Sequence, residues 1–330
     1  MAKLSVALGE YPHGQALLDG GVEVDGYRVE PVEVRPIIAA YRRMIRDLEF
    51  DVCELAPVSY LMALQEGVPI TGIPVFLNRR FHHQDIQCAA LSGIRVPRDL
   101  EGRRVGVRAY SVSTGVWVRG VLSEEYGVAH QKITWVVDDD DHIEGRAPAN
   151  VERVTDGRSL GELLRTGELD AALTGNAGTG RAGPPRADWT AAGTPALDED
   201  SGAEGPYPLF AETGVLSADW YLRTGIYPLH SVIAIRSELV ERDPDLPTAL
   251  YAALVESKRR HLTTDPGWSG LTRFARQARQ IGGDPIPYGV EANEPSLRAL
   301  VRYSRDQGLL GPDFPADTRE LFAPGRYPDA

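Results

Sequence analysis

Two hydrophobic periods alternate along the first third of the chain. Residues 3–8 and 28–34 alternate apolar with polar side chains and read as strands. Between residues 36 and 48 the period lengthens. Ile37, Tyr41, Met44, Ile45 and Leu48 share one helical face, with Arg42, Arg43, Arg46 and Asp47 on the other. Pro36 suits a first helical turn, where a missing N–H leaves no bond unmade. The run FDVCELAPVSYLMALQEGVPITGIPVF then predicts a strand, a turn, a helix over 58–65 closed by Gly67, and another strand. Such βαβ order sets parallel strand ends side by side.

A second series starts near Ile94. It predicts a strand at 104–108, a loop of small residues, a helix from about 114 to 126, and a strand at 132–137. A helix at 160–166 and a strand at 169–173 follow. Residues 175–206 are rich in Gly, Pro, Ala and Asp without periodicity, and read as a long surface loop or flap. Pattern returns at 218–224. HSVIAIRSEL then gives a strand leading into a helix, and further helices are expected at 246–261, 268–281 and 295–307. The expected architecture is α/β and two-lobed, with residues 1–90 plus 229–330 in one lobe and 91–228 in the other. A chain that crosses twice in this way sets a ligand cleft between its lobes, where strand ends and helix N-termini converge.

Composition narrows the partners. The chain has 330 residues, 42% hydrophobic and 25% charged, which suits two ordinary globular lobes. Its net charge of −12 comes with scattered basic residues, which argues against nucleic acid, since phosphate binding needs clustered Lys and Arg. A small anion needs only two or three cations in one cleft. The opening MAKLSVALGEYPHG has no apolar run of signal-peptide or membrane-span length. Cys53 and Cys88 suggest no disulfide framework. The expectation is a cytoplasmic protein. Tyr, Trp and Leu on the C-terminal helices suit a core or a homo-oligomer interface equally.

Two stretches can carry chemistry. In GVRAYSVSTGVWVRG a strand ends near Arg108, and Ser111, Ser113, Thr114 and Gly115 lead into a helix. Backbone N–H groups there, with hydroxyls beside them, can hold a carboxylate, with Arg108 and Tyr110 adding hydrogen bonds. The structural alternative is helix capping by Ser113 or Thr114. In NRRFHHQD, Arg79, His82, His83 and Asp85 follow an apolar strand. Histidine titrates near neutrality and so can pass a proton, whereas an exposed polar turn is the structural alternative. Neighbouring residues of an extended chain point opposite ways, so His82 and His83 are not both expected to face one cleft.

His82, His83 and Asp85, or the run Asp138–Asp141 with His142, offer metal-ligand types without a recognisable metal motif, and no metal is expected. Glu10, Tyr11, His13, Arg35, Glu54 and His230 stand at expected strand ends, where a structural hydrogen bond competes with a ligand contact. GxGxxG and GxxxxGK[ST] do not occur in a strand–turn–helix context, so nucleotide binding finds no support.

FDVCELAPVSYLMA, GRRVGVRAYSVSTGVWVRGVLSEEYGV with ITWV, and TGIYPLHSVIAIRSEL together resemble the 4,5-dihydroxyphthalate decarboxylase family, related in fold to type 2 periplasmic solute-binding proteins. The resemblance runs in order over roughly residues 1–320, with the 175–206 stretch its least typical part. It implies a type 2 periplasmic-binding-protein-like fold and non-oxidative loss of CO2 from a hydroxylated aromatic acid, without a cofactor. On that reading His82 or His83 donates the proton, and Glu54 or Asp85 orients it. Arg108 with the Ser111, Ser113 and Thr114 loop cradles a carboxylate, Arg79 or Arg35 clamps a second anionic group, and Tyr110 and His230 line the site. A solute-binding protein for a small carboxylate, or another lyase or isomerase on the same scaffold, are the competing readings.

Overall fold

A computed structural model of the chain describes residues 1–180, 205–270 and 272–330. The chain forms two units: Met1–Arg80, Ala218–Val301 and Leu310–Ala330 in the first, Phe81–Ser217 and Arg302–Leu309 in the second.

The first unit opens with β1 (Ala2–Ala7), α1 (Pro12–Leu18), β2 (Tyr27–Pro31), α2 (Ile38–Asp47), β3 (Val52–Leu55), α3 (Pro57–Gln65) and β4 (Ile70–Ile73). The second contains β5 (Ile86–Cys88), β6 (Arg104–Gly106), α4 (Ser113–Tyr126), β7 (Thr134–Val137), β8 (Val151–Arg153), α5 (Leu160–Arg165), β9 (Ala171–Leu173) and β10 (Tyr207–Pro208). After α6 (Thr213–Thr224) come β11 (Val232–Arg236), α7 (Ser237–Arg242), α8 (Leu246–Thr264), α9 (Thr272–Ile281) and α10 (Glu294–Asp306).

The first sheet has the order β2-β1-β3-β11-β4, with β1, β2 and β3 parallel and β11 antiparallel to both its neighbours. Leu4, Val6, Val52, Ile73, Ile233 and Ile235 from its strands join Leu250 and Leu254 of α8 in one core. The helix predicted on the Ile37–Leu48 pattern is there and buries Tyr41, Met44 and Ile45, and it stops where Leu48 turns left-handed at φ 50°. Gly67, at φ 69°, ends α3 in the expected way. The helix expected from residue 268 starts four residues later, because Trp268 is itself left-handed at φ 56°.

The second sheet has the order β10-β5-β9-β6-β7-β8. Strands β9, β6, β7 and β8 run parallel, while β5 is antiparallel to both β9 and β10. Leu160, Leu163 and Leu164 of α5 pack with Val136, Leu169 and Ala172 in its core. The first lobe, expected to end at 90 and resume at 229, ends at 80 and resumes at 218. Strand β5, three residues long and unmarked in the sequence, pairs with β9 and carries residues 81–90 into the second unit. Residues 302–309 also join that unit, where the Tyr303 ring meets Trp117 edge-on at 5.8 Å. Of the loop expected at 175–206, residues 181–204 lie outside the described residues. Among the described residues no helix is long and apolar enough to cross a membrane.

Candidate functional site

The second sheet gathers its polar loops on one edge. The C-terminal ends of β9, β6 and β7 point the same way, and the antiparallel β5 begins beside the end of β9, with Ile86 opposite Leu173. The turns after β9, β6 and β7 and the turn before β5 therefore share that edge, where open α/β sheets bind their ligands.

The turn before β5 carries His82, His83 and Asp85, all buried at 2%, 2% and 4% exposure. The exposed-turn alternative therefore fails. His82 Nδ1 lies 2.7 Å from Asp85 Oδ2, and the Asp85 amide donates to the His82 carbonyl at 3.1 Å, so the tight turn folds the carboxylate back onto the ring. The Thr174 amide, just past β9, donates to the Asp85 carbonyl at 2.9 Å and ties this turn to the strand end. His83 points elsewhere. Its Nδ1 is 3.0 Å from Ser217 Oγ, and its ring meets Phe210 edge-on at 5.8 Å. Burial, aided by the neighbouring His82, lowers the His83 pKa to about 4, so this imidazole is neutral at pH 7.

The loop from β6 into α4 is also buried, with Ser111, Ser113 and Thr114 at 1–3% exposure. Capping by Ser113 or Thr114 does not occur: both lie inside the helix, and the flanking residue is Val112, whose side chain cannot accept a hydrogen bond. The expected cradle is here, but acids of this same chain stand in it. Arg108 Nη1 pairs with Asp139 Oδ2 at 2.9 Å, and Asp141 Oδ1 accepts from both the amide and the hydroxyl of Ser111. The run Asp138–Asp141 brings Asp139 and Asp141 here because β7 lies beside β6 and its trailing residues fall next to the loop after β6. Tyr110 departs from its expected role. Its hydroxyl donates to the Gln307 carbonyl at 3.3 Å, and its ring lies under the Arg119 guanidinium at 4.0 Å. Arg119, not singled out in the sequence, is fully buried and donates to the Tyr110 carbonyl and to Gln307 Oε1 at 2.5 and 2.6 Å.

In the first unit the expected residues again fall at one sheet edge, but in structural settings. Glu54, buried at the end of β3, accepts from the Gly9 amide at 2.8 Å and from the Tyr11 and Tyr41 hydroxyls at 2.9 and 3.3 Å. Burial pushes its pKa up, while these donors pull it down. Its carboxylate is held by these three groups, and Asp85, not Glu54, is the acid bonded to a histidine. Arg79, expected as an anion clamp, is 2% exposed and turned inward. It donates to the Tyr227 carbonyl, to Asn293 and to Ser296, and stacks on Tyr227 at 4.2 Å. Its guanidinium fastens the chain to itself. Arg35 is two-thirds exposed and paired with Glu10 and Glu33, so it is an exposed link in an acidic neighbourhood, not a buried clamp. These residues line a cavity of about 500 Å³ with Gly9, Gln15 and Asp19. His13 sits among Tyr11, Trp268 and Phe274 as a core histidine, its pKa lowered to about 3 by burial. The His230 amide donates to the Asn78 carbonyl at 3.0 Å, and its ring is half-buried.

Among the described residues no group of three or more His, Cys, Asp and Glu side chains is placed to hold a metal ion. Cys53 and Cys88 are free and buried. Sequence reasoning missed Ser217 and Arg119, and named Asp139 and Asp141 only as metal-ligand types. The adjacency of the strands before Arg108 and Asp138 was the available signal, since parallel neighbours place their trailing loops together.

None of the known family models matches the chain. In fold it is similar to the periplasmic aliphatic sulphonate binding protein SsuA from Escherichia coli, at TM-score 0.53 and 13% identity over 98% of both chains. It is likewise similar to a putative periplasmic sulfonate-binding protein SsuA from Methylobacillus flagellatus KT, at TM-score 0.54 and 13% identity over 98% of this chain and 91% of that one. The fold is thus that of the periplasmic binding proteins, as expected. In sequence it is 34% identical to the 4,5-dihydroxyphthalate decarboxylase of Comamonas testosteroni, over 98% of this chain and 96% of that protein. It is also 34% identical to that of Pseudomonas putida, over 52% of this chain and 69% of the relative. With that identity sustained across nearly its whole length, the chain belongs to the 4,5-dihydroxyphthalate decarboxylase family.

Proposed function

We propose that this chain is a carboxy-lyase that removes CO2 from 4,5-dihydroxyphthalate, or a close hydroxylated aromatic dicarboxylate, leaving a protocatechuate-like product. The activity follows from membership of the family. The observation that supports a specific mechanism is the buried His82–Asp85 pair at the ligand-binding edge of the second sheet.

Direct loss of CO2 from an aryl ring would leave an aryl anion, which is too basic to form. A hydroxyl para to the leaving carboxylate opens another route. As that hydroxyl loses its proton, the ring carbon bearing the carboxylate gains one and becomes tetrahedral in a dienone. The carbon–carbon bond then breaks, CO2 departs, and its electron pair restores the aromatic ring and the phenolate, which takes up a proton. The sum consumes one proton and is redox-neutral. Such chemistry needs an acid beside the reacting carbon and hydrogen-bond donors for the carboxylates.

His82 fits the acid. A carboxylate bonded to Nδ1 fixes the tautomer and supports the imidazolium, and directs proton exchange through Nε2. His83 fits less well, because a buried imidazole with a pKa near 4 carries no proton to give at pH 7. The Ser111 turn at the start of α4 supplies donors for a carboxylate. The leaving carboxylate has to be held more loosely than the retained one, because tight ground-state binding would raise the barrier.

The test is CO2 release and aromatic product from 4,5-dihydroxyphthalate. His82→Gln is expected to lower kcat by about 10²–10⁴-fold, with His83→Gln well short of that. Near-normal kcat in His82→Gln removes His82 as the acid. A wild-type protein that releases no CO2 removes the reaction itself.

A further inference from the structure

The contact between Ser111 and Asp141 joins residues 30 apart in sequence on the loops that follow β6 and β7. One oxygen of Asp141 accepts from the Ser111 amide at 2.7 Å and from its hydroxyl at 2.6 Å. Two donors from one residue on one carboxylate oxygen is the geometry of an anion seat. Two further features make the place suited to negative charge. Val112 gives this 14-residue helix no side-chain cap, and the positive end of its dipole favours a negative charge such as the Asp141 carboxylate. Arg119 stands in the second turn of the helix, fully buried. Its Nε and Nη2 are spent on Gln307 and Tyr110, while Nη1 has no hydrogen-bond partner and lies 3.1 Å from the position of a Cβ on Gly115, beside the first turn. Burial lowers the Arg119 pKa, and Tyr110 and Asp141 partly offset this by favouring its charged form.

We infer that the Ser111 amide and hydroxyl, backed by Arg119, form a carboxylate seat for which Asp141 competes with a carboxylate of the substrate. Identifying that competitor rests on the decarboxylase reading above; the seat itself rests on the contacts. Asp139 completes the device. Its pairing neutralises Arg108 on the same loop, so an entering carboxylate displaces one like itself instead of meeting a bare Arg108 charge. Asp141 is half-buried, and its neighbour Asp140 is exposed, so the carboxylate can swing into water without repacking the core. An intramolecular competitor raises the apparent Kd by the reciprocal of the fraction of time it leaves the seat open. The seat is therefore tuned to release its acid as well as to bind it.

Phthalate is the probe, because it carries both carboxylates but has no hydroxyl through which the reaction can run. If Asp141 fills the seat nine-tenths of the time, Asp141→Ala tightens the phthalate Kd by about tenfold. Asp141→Asn, which keeps a side-chain acceptor without the charge, is expected to lie between. Ser111→Ala in the Asp141→Ala background should abolish the gain. In the wild-type protein, saturating phthalate should speed amide hydrogen exchange across residues 138–142 while the Ser111 amide stays protected. A Kd that is unchanged or weaker in both Asp141 variants, with native circular dichroism, overturns the inference. So does an unaltered exchange rate at saturation, and so does a protein that binds no phthalate with or without Asp141. CO2 release from 4,5-dihydroxyphthalate is scored separately. Turnover without tightening leaves the reaction standing and the seat refuted, and tightening without turnover does the reverse.

Discussion

Gly120 lies inside α4, where a rule drawn from sequence alone recommends replacing it. Glycine in a helix interior is about 1 kcal/mol less favourable than alanine, and the added methyl would contribute about 0.8 kcal/mol if it were buried in open space. The structure predicts the opposite sign. A Cβ at Gly120 would come within 2.5 Å of the Tyr303 ring, touching three of its carbons, where carbon pairs normally stand about 3.5–4.0 Å apart. The ring cannot withdraw easily. It is 3% exposed, its hydroxyl is bonded to Glu124, and Trp117 meets it edge-on at 5.8 Å. Overpacking a filled site costs about 1–3 kcal/mol, and overlap with three fixed atoms argues for the upper end. After the helix-propensity gain of about 1 kcal/mol, Gly120→Ala should destabilise by about 2 kcal/mol. Urea unfolding followed by circular dichroism reads this as a lower midpoint at unchanged slope. The same substitution in a Tyr303→Leu background should be close to neutral. A midpoint equal to or above the wild type in Gly120→Ala alone would refute the reasoning, and with it the close approach of residues 302–309 to this helix.

Two further outcomes are expected. His13, His83 and His130 have pKa values pulled down to about 3, 4 and 4, by burial before any other cause. Between those values and about 6.5 the unfolded chain binds protons that the folded one does not, so stability is full above about pH 7 and falls as the pH drops toward 4. The slope is about 1.4 kcal/mol per pH unit for each histidine, measured as urea midpoints at several pH values, and a flat profile counts against it. Arg79→Met should lower stability by roughly 3 kcal/mol by orphaning Asn293 Oδ1 and leaving the Tyr227 carbonyl with Ser296 alone, yet leave KM for the aromatic dicarboxylate within twofold. A tenfold rise in KM with an unchanged urea midpoint would restore Arg79 as a substrate clamp.

Local pattern determined much of this molecule. The period-two and helical runs of the first 75 residues placed β1, β2, α2, β3, α3 and β4, and the small-residue loop after Arg108 marked the start of α4 within a residue. The NRRFHHQD stretch announced polar chemistry, because two arginines, two histidines and an aspartate after an apolar strand have few purely structural uses. Strands β5 and β8 left no pattern. Unlike the equally short β6 and β9, which sit in longer apolar runs, they lie among polar residues, and without β5 the first boundary between units was placed late. What each polar side chain does was decided only by tertiary structure. Arg79 and Arg108 look alike in sequence, yet one grips the Tyr227 carbonyl 148 residues away and the other an aspartate 31 residues away. Asp141 stood in the sequence only among metal-ligand types, and strand order laid the loop after β7 against Ser111. Periodicity is set by which side of an element faces the core, and that is written residue by residue. The partner of a charged group depends on which strands become neighbours, and no short stretch of sequence contains that information.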